Sequence, residues 1–210
     1  MIKRVFMRAA AVGLGVLALA GLGAVASMLS GDLQFTDPVS VAVPVDTAAA
    51  LTVAQDQLAE TQGELDRAHR ILEFSGRYKI PADLASRIYD HAVAAGIPPA
   101  LGFQLVKIES RFENTAQSYA AAIGLTQLRL PTARAYEPTV TPAELMNPDV
   151  NLRIGFAYLK DLLRQFDNDL SLALEAYNKG PTLVTAQMQE GIEVRGKYSR
   201  AVLGGMRRGL

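Results

Sequence analysis

The chain has no cysteine and only two histidines, His69 and His91. Without cysteine there is no disulfide framework and no thiolate metal site. Two isolated histidines with no carboxylates clustered near them do not make a catalytic metal centre. They also leave little material for a Ser-His or Cys-His nucleophile system. An excess of basic charge is missing too. Formal net charge is zero over 210 residues, and beyond residue 30 there are 18 basic against 21 acidic side chains. That balance argues against nucleic acid as a main partner, because phosphate binding needs a basic surface. No alternating apolar and polar run extends past a few residues, so a sheet-based core is not expected. Chemistry must therefore rest on Asp, Glu, Lys or Tyr, and neither metal nor cofactor is called for.

Half of the residues are hydrophobic, enough for one domain of ordinary size plus appendages. Some of them sit at the N-terminus. Lys3, Arg4 and Arg8 precede an uncharged run from Ala9 to Ser30, so residues 1–30 read as a signal peptide or an N-terminal membrane anchor. The run is long enough to approach a bilayer span, which favours the anchor. Ala24-Val25-Ala26 is an acceptable cleavage site. Either way the basic start keeps the N-terminus inside and sends the rest out. Residues 31–45, bracketed by Pro38 and Pro44, read as a linker.

In residues 46–76, Leu51, Leu58, Leu65 and Leu72 recur every seven positions, with Ala54, Thr61 and Ala68 beside them. This is a heptad seam on an amphipathic helix. It fits a short dimeric coiled coil or stalk, or one helix folded against the next domain. The small companion residues favour the second. Gly76 should end it. From residue 77 onward the pattern is compact and helical, so the fold class is all-α. Pro81-Ala82-Asp83 opens one helix, and Pro98-Pro99 opens another with Leu101, Leu105 and Ile108 on one face. Thr132–Tyr136 should be a short helix. Asn151 should cap a long one, and Leu170–Tyr177 should be another, ended by Gly180-Pro181. A last helical stretch runs from Leu183 to about Leu203, broken near Gly191 and Gly196.

Glu109 lies one position past Ile108, at the edge of that apolar face. A carboxyl placed there is partly desolvated, which raises its pKa and keeps it protonated near neutral pH. It could then donate to a leaving oxygen. On spacing alone, a solvated glutamate paired with Lys107 or Arg111 is the better fit. Glu113, four residues on, reads as a solvated or capping residue.

The full set of segments is more specific. Glu109-Ser110-Arg111-Phe112 is followed by Ser118, then Gly124-Leu125-Thr126-Gln127, then Asn151, Gly155 and Tyr158, then Ala176-Tyr177-Asn178-Lys179-Gly180-Pro181. In order and spacing this resembles the catalytic domain of the soluble-type (SLT, goose-lysozyme-like) lytic transglycosylases, over about residues 77–200. The resemblance implies a lysozyme-like helical domain over residues 77–210 and a periplasmic or envelope location. It implies Glu109 as the single catalytic acid and then base. Ser118, Gln127, Tyr177 and Asn178 would bind substrate, with the Tyr177 phenol hydrogen-bonding the acid. Asn151, Gly155 and Tyr158 would hold the fold as a cap, a close helix contact and a packed ring.

The implied substrate partner is the peptidoglycan glycan strand. The implied reaction cuts the MurNAc-GlcNAc β-1,4 bond without water and leaves 1,6-anhydroMurNAc ends. Inner-membrane association and a cell-wall-spanning or division machine are further partners of this kind. A muramidase on the same fold, or a non-catalytic peptidoglycan-binding scaffold, are the alternatives. The sequence departs from the family pattern at three places. Ala121-Ala122 stands where Gly-Ala is usual, Thr126 stands where Met is usual, and Pro131 lies one position late. Thr126 should alter the cleft subsite it lines.

Overall fold

The computed structural model describes residues 45–207. The expected export or anchor segment and nearly all of the linker lie outside the described residues. Ala48 onward forms one unit among the described residues. Among the described residues, no helix is long and apolar enough to cross a membrane.

Helix α1 runs Val45–Tyr78. Every residue from Thr47 to Arg70 is exposed. The four heptad leucines are 54–60% exposed. Arg67 pairs with Asp90 across to the rest of the unit, and apolar packing against it starts one turn later, at Ile71 and Phe74. Phe74 stacks on Phe103 with ring centroids 4.2 Å apart, and Tyr78 stacks on Phe103 at 5.4 Å. So the apolar contact of the helix with the domain is made by its last two turns and not along the leucine seam. The aromatic residues, and not the leucines, carry the contact. Gly76 does not end the helix; Lys79, at φ 54°, does.

Helix α2 (Ala82–Ala94) buries Ala85, Ile88 and Ala92. Helix α3 (Pro99–Ser110) begins on the expected proline pair and is enclosed nearly all round as far as Val106. Its last turn emerges from the core, which leaves Ile108 39% exposed and not on a buried face. Arg111 and Phe112 follow in consecutive left-handed conformations, φ 54° and 69°. Neither is glycine, so the turn that ends α3 beside Glu109 is held by its surroundings against local preference.

A small hairpin interrupts the helices. Strands β1 (Ala122–Ile123) and β2 (Leu128–Arg129) pair antiparallel, with Ala122 opposite Arg129 and Ile123 opposite Leu128. The unit is thus mostly helical, as expected, and this two-residue pairing lies at the site. Helix α4 (Leu130–Arg134) follows directly, starting two residues earlier than expected because Pro131 sits in its first turn. A 3-10 turn at Glu144–Met146 leads to α5 (Pro148–Gln165). Asn147 caps α5 by accepting from the Asp149 N–H, so Asn151 is not the cap. Helices α6 (Leu170–Lys179), α7 (Pro181–Gln189) and α8 (Lys197–Arg207) complete the unit. Helix α3 packs against α2 and α8, and α6 against α5, α7 and α8. The main core runs through these helices, with a smaller cluster of Ile123, Leu128, Ala133, Val140, Leu145 and Ile154 under the hairpin.

Candidate active site

A cleft of ≈ 520 Å³ opens between the end of α3, the hairpin and the end of α6. Glu109, Ser118, Gln127, Tyr177 and Asn178 all line it, together with Tyr158, Arg129 and Lys179. Among the described lining residues, Glu109 is the only carboxylate. Glu113 is exposed beyond the helix end and accepts from the Thr115 hydroxyl at 2.8 Å.

The end of α3 presents Glu109 partly buried. Burial pushes its carboxyl up to about 7, and the Tyr198 hydroxyl, which donates to Oε1, works against that rise. The C-terminal end of the α3 dipole also disfavours negative charge there. The phenol on the acid is therefore Tyr198 of α8. Tyr177 donates instead to the Thr126 carbonyl at 2.8 Å, and its ring lies 5.1 Å from that of Tyr158. Helix α8 packs directly on α3, which brings Tyr198 to the acid. Burial first, then the nearby Glu109 carboxyl, holds both phenols well above their ordinary pKa, so both remain hydrogen-bond donors. The sequence alone does not single out Tyr198. It lies in a helix that follows a glycine-marked loop, with no motif around it.

The hairpin supplies the opposite wall. The Ser118 hydroxyl accepts from the Ala122 N–H at 3.1 Å and ties the loop to β1. The Gln127 amide donates to the carbonyls of Ala116 and Gly124, at 3.1 and 2.9 Å, which leaves its oxygen as the acceptor it can offer a ligand. Asn178 is exposed at the end of α6.

Thr126 is fully buried and does not line the cleft, contrary to the sequence expectation. Its N–H and its hydroxyl both donate to Asn151 Oδ1, at 2.8 and 2.7 Å. Asn151 Nδ2 donates to the carbonyls of Ile123 and Leu145, both at 2.9 Å. One buried amide thus bolts the hairpin to α5 with all of its polar atoms engaged. Gly155 is required by this contact, since a Cβ there would lie 2.3 Å from Thr126 Oγ1. The substitution at position 126 therefore changes a polar bracket under the cleft and not the cleft surface. Ala121 takes φ 57°, a conformation glycine adopts without cost, which accounts for the glycine usual at this place.

Among the described residues, no group of three or more His, Asp or Glu could hold a metal ion. His91 lies 3.2 Å from Asp149. The arrangement offers one half-buried acid, two neutral phenols and a polar wall. It can deliver one proton to a leaving oxygen and take one back.

The chain is similar in sequence and fold to known proteins. The transglycosylase SLT domain family matches residues 87–196. The soluble lytic murein transglycosylase of Escherichia coli K12 is 30% identical over 91 residues, which is 40% of this chain and 14% of that protein. The peptidoglycan transglycosylase gp16 of Escherichia phage T7 is 31% identical over 104 residues, 48% of this chain and 8% of that protein. This chain thus spans a small part of the length of the curated relatives it matches. Lytic transglycosylase Slt of Pseudomonas aeruginosa, solved as an inactive glutamate-to-glutamine mutant, superposes with TM-score 0.53 and 27% identity over 59% of this chain and 23% of that one. The 70 kDa soluble lytic transglycosylase of Escherichia coli superposes with TM-score 0.54 over 65% of this chain and 25% of that one, and at 23% identity it supports the fold alone.

Proposed function

Because the chain belongs to the transglycosylase SLT domain family, we propose that it is a peptidoglycan lytic transglycosylase that uses Glu109 as its single acid and base. The observation that carries this is the lone cleft carboxyl with its pKa near 7. At that value it is partly protonated at neutral pH, and its conjugate base is strong enough to take a proton back. The inactive glutamate-to-glutamine mutant of the Pseudomonas aeruginosa relative supports a glutamate of this kind.

Protonated Glu109 donates to the glycosidic oxygen between N-acetylmuramic acid and N-acetylglucosamine. The C1–O bond breaks and the N-acetylglucosamine leaves with the proton on its O4. The 2-acetamido carbonyl oxygen of the muramyl unit supports the positive charge at C1. Glu109, now a carboxylate, takes the proton of the muramyl C6 hydroxyl, and O6 bonds to C1. The acid is restored, a 1,6-anhydro ring closes and no water enters. Most glycosidases place a second carboxylate across the bond. Here the substrate supplies both the charge stabiliser and the nucleophile, which matches a cleft with one acid. Ser118, Gln127, Tyr177 and Asn178 orient the strand, so that the C6 hydroxyl is in reach when the bond breaks. The substrate lies in the cell envelope, and the N-terminal basic and uncharged run is the route there.

The deciding experiment is the mass of soluble products released from purified sacculi by the full chain. Products with 1,6-anhydro ends agree with the proposal. Products heavier by one water assign a muramidase, and binding to sacculi with no product assigns a scaffold.

A further inference from the structure

Glu175 takes no part in the steps above, yet it is a fully buried carboxylate two residues before Tyr177. Its Oε1 accepts from the backbone N–H groups of Gly196 and Ser199, both at 2.9 Å. Its Oε2 has only the Lys179 ammonium as an ion-pair partner, at 2.9 Å. Burying a charge is costly unless it is paired and hydrogen-bonded. Within α6 its charged partner is Lys179, and its neighbours Ala173, Leu174 and Ala176 are core residues. The partners of Glu175 that lie outside α6 flank Tyr198, and they occupy the N-terminal end of α8, where N–H groups lack partners within the helix. Gly196 is fitted to the same contact, because a Cβ there would lie 2.6 and 2.7 Å from the two carboxylate oxygens.

We propose that Glu175 is a positioning residue: it clamps the first turn of α8 so that the Tyr198 hydroxyl stays on Glu109. This rests on the reading of Glu109 as the acid. The linkage runs from Lys179, which lines the cleft, through Glu175 to Gly196 and Ser199, and from Tyr198 to Glu109. The titratable groups facing Glu109 are Tyr198 on α8 and Tyr177 on α6. Those facing Glu175 are Lys179 on its own helix and Tyr198 on α8. Burial works to raise the Glu175 pKa, but Lys179 and the Ser199 N–H outweigh it and keep the carboxyl below its usual value. Glu175 therefore remains an acceptor throughout the range in which Glu109 titrates. Tyr198, by donating to Glu109, favours its carboxylate. Loss of the clamp releases Tyr198 and lets burial drive the acid higher.

The test is the pH profile of kcat and KM on soluble glycan strands, using the full chain. Glu175→Leu removes both acceptors at similar volume. It should lower kcat about tenfold, the scale of a disturbed proton-transfer geometry, leave KM unchanged and move the alkaline limb to higher pH. Glu175→Gln keeps an acceptor oxygen and should restore most of the rate. Glu175→Leu combined with Tyr198→Phe should be no worse than Tyr198→Phe alone. If Glu175→Leu does not fold, Gly196→Ala, which presses a Cβ on the carboxylate, should give the same shift. Additive losses in the double variant, or an unmoved alkaline limb in a folded single variant, overturn the proposal. An inactive wild-type chain would instead overturn the catalytic reading on which it rests.

Discussion

Tyr198 donates its phenolic hydrogen to Oε1 of Glu109 across 89 positions of sequence. The two groups act in opposite directions on one proton. Burial holds it on the acid, and the phenol favours its release. The result is a carboxyl near 7, suited to give a proton and then take one.

The rate should follow that proton. As a general acid, Glu109 must start protonated, so kcat/KM should be flat below about 7 and fall roughly tenfold per pH unit above it. Tyr198→Phe removes a contact that favours the carboxylate, so its alkaline limb should move up. A rate profile measured from pH 5 to 9 on both proteins checks the direction.

The same proton affects stability. In the unfolded chain, Glu109 returns to about 4.5. Between that value and 7, the unfolded chain has released a proton that the folded chain keeps. The stabilising contribution is therefore complete below about 4.5 and is lost as pH rises to 7. Replacing Glu109 by Gln removes the charge, so the variant should be more stable than wild type by about 2 kcal/mol at pH 8, allowing for partial exposure. At pH 4 the two should be equal. Urea unfolding at the two pH values measures this.

Gly155→Ala should be strongly destabilising, by about 2–3 kcal/mol, because its methyl would press on Thr126 Oγ1 inside a closed bracket. Thr126→Ala in the same chain should recover part of that loss. Thermal melts of the single and double variants, read as a cycle, test whether this contact is the cause.

Ala121→Gly should stabilise the hairpin. The left-handed backbone at φ 57° costs alanine about 1 kcal/mol, partly offset by the freer unfolded chain that glycine brings. A rise in melting temperature with unchanged activity is the expected outcome.

Much of the candidate cleft's lining is legible in the sequence, because its parts are local. Glu109, Gln127 and Tyr177 each sit in a short segment whose neighbours mark it. The remainder depends on contacts between distant segments. Tyr198 carries no motif and gains its role only from the packing of α8 on α3. Thr126 sits between cleft residues in sequence, but the loop, with Gln127 at φ 49°, turns its side chain into the core. Asn151 resembles a cap because a polar residue near a helix start usually is one. Its four hydrogen bonds reach Thr126 and Ile123 of the hairpin and Leu145 of the 3-10 turn. The leucine seam of α1 was plain in the sequence, yet periodicity does not say which face meets the domain, and the aromatic residues of the last two turns decided that.

The most direct test of the account is release of 1,6-anhydro products from purified sacculi at pH 6 by wild type and by Glu109→Gln. The variant should melt at or above the wild-type temperature and release product at least about a hundredfold more slowly. A folded Glu109→Gln chain that releases the same anhydro products at the wild-type rate would contradict it.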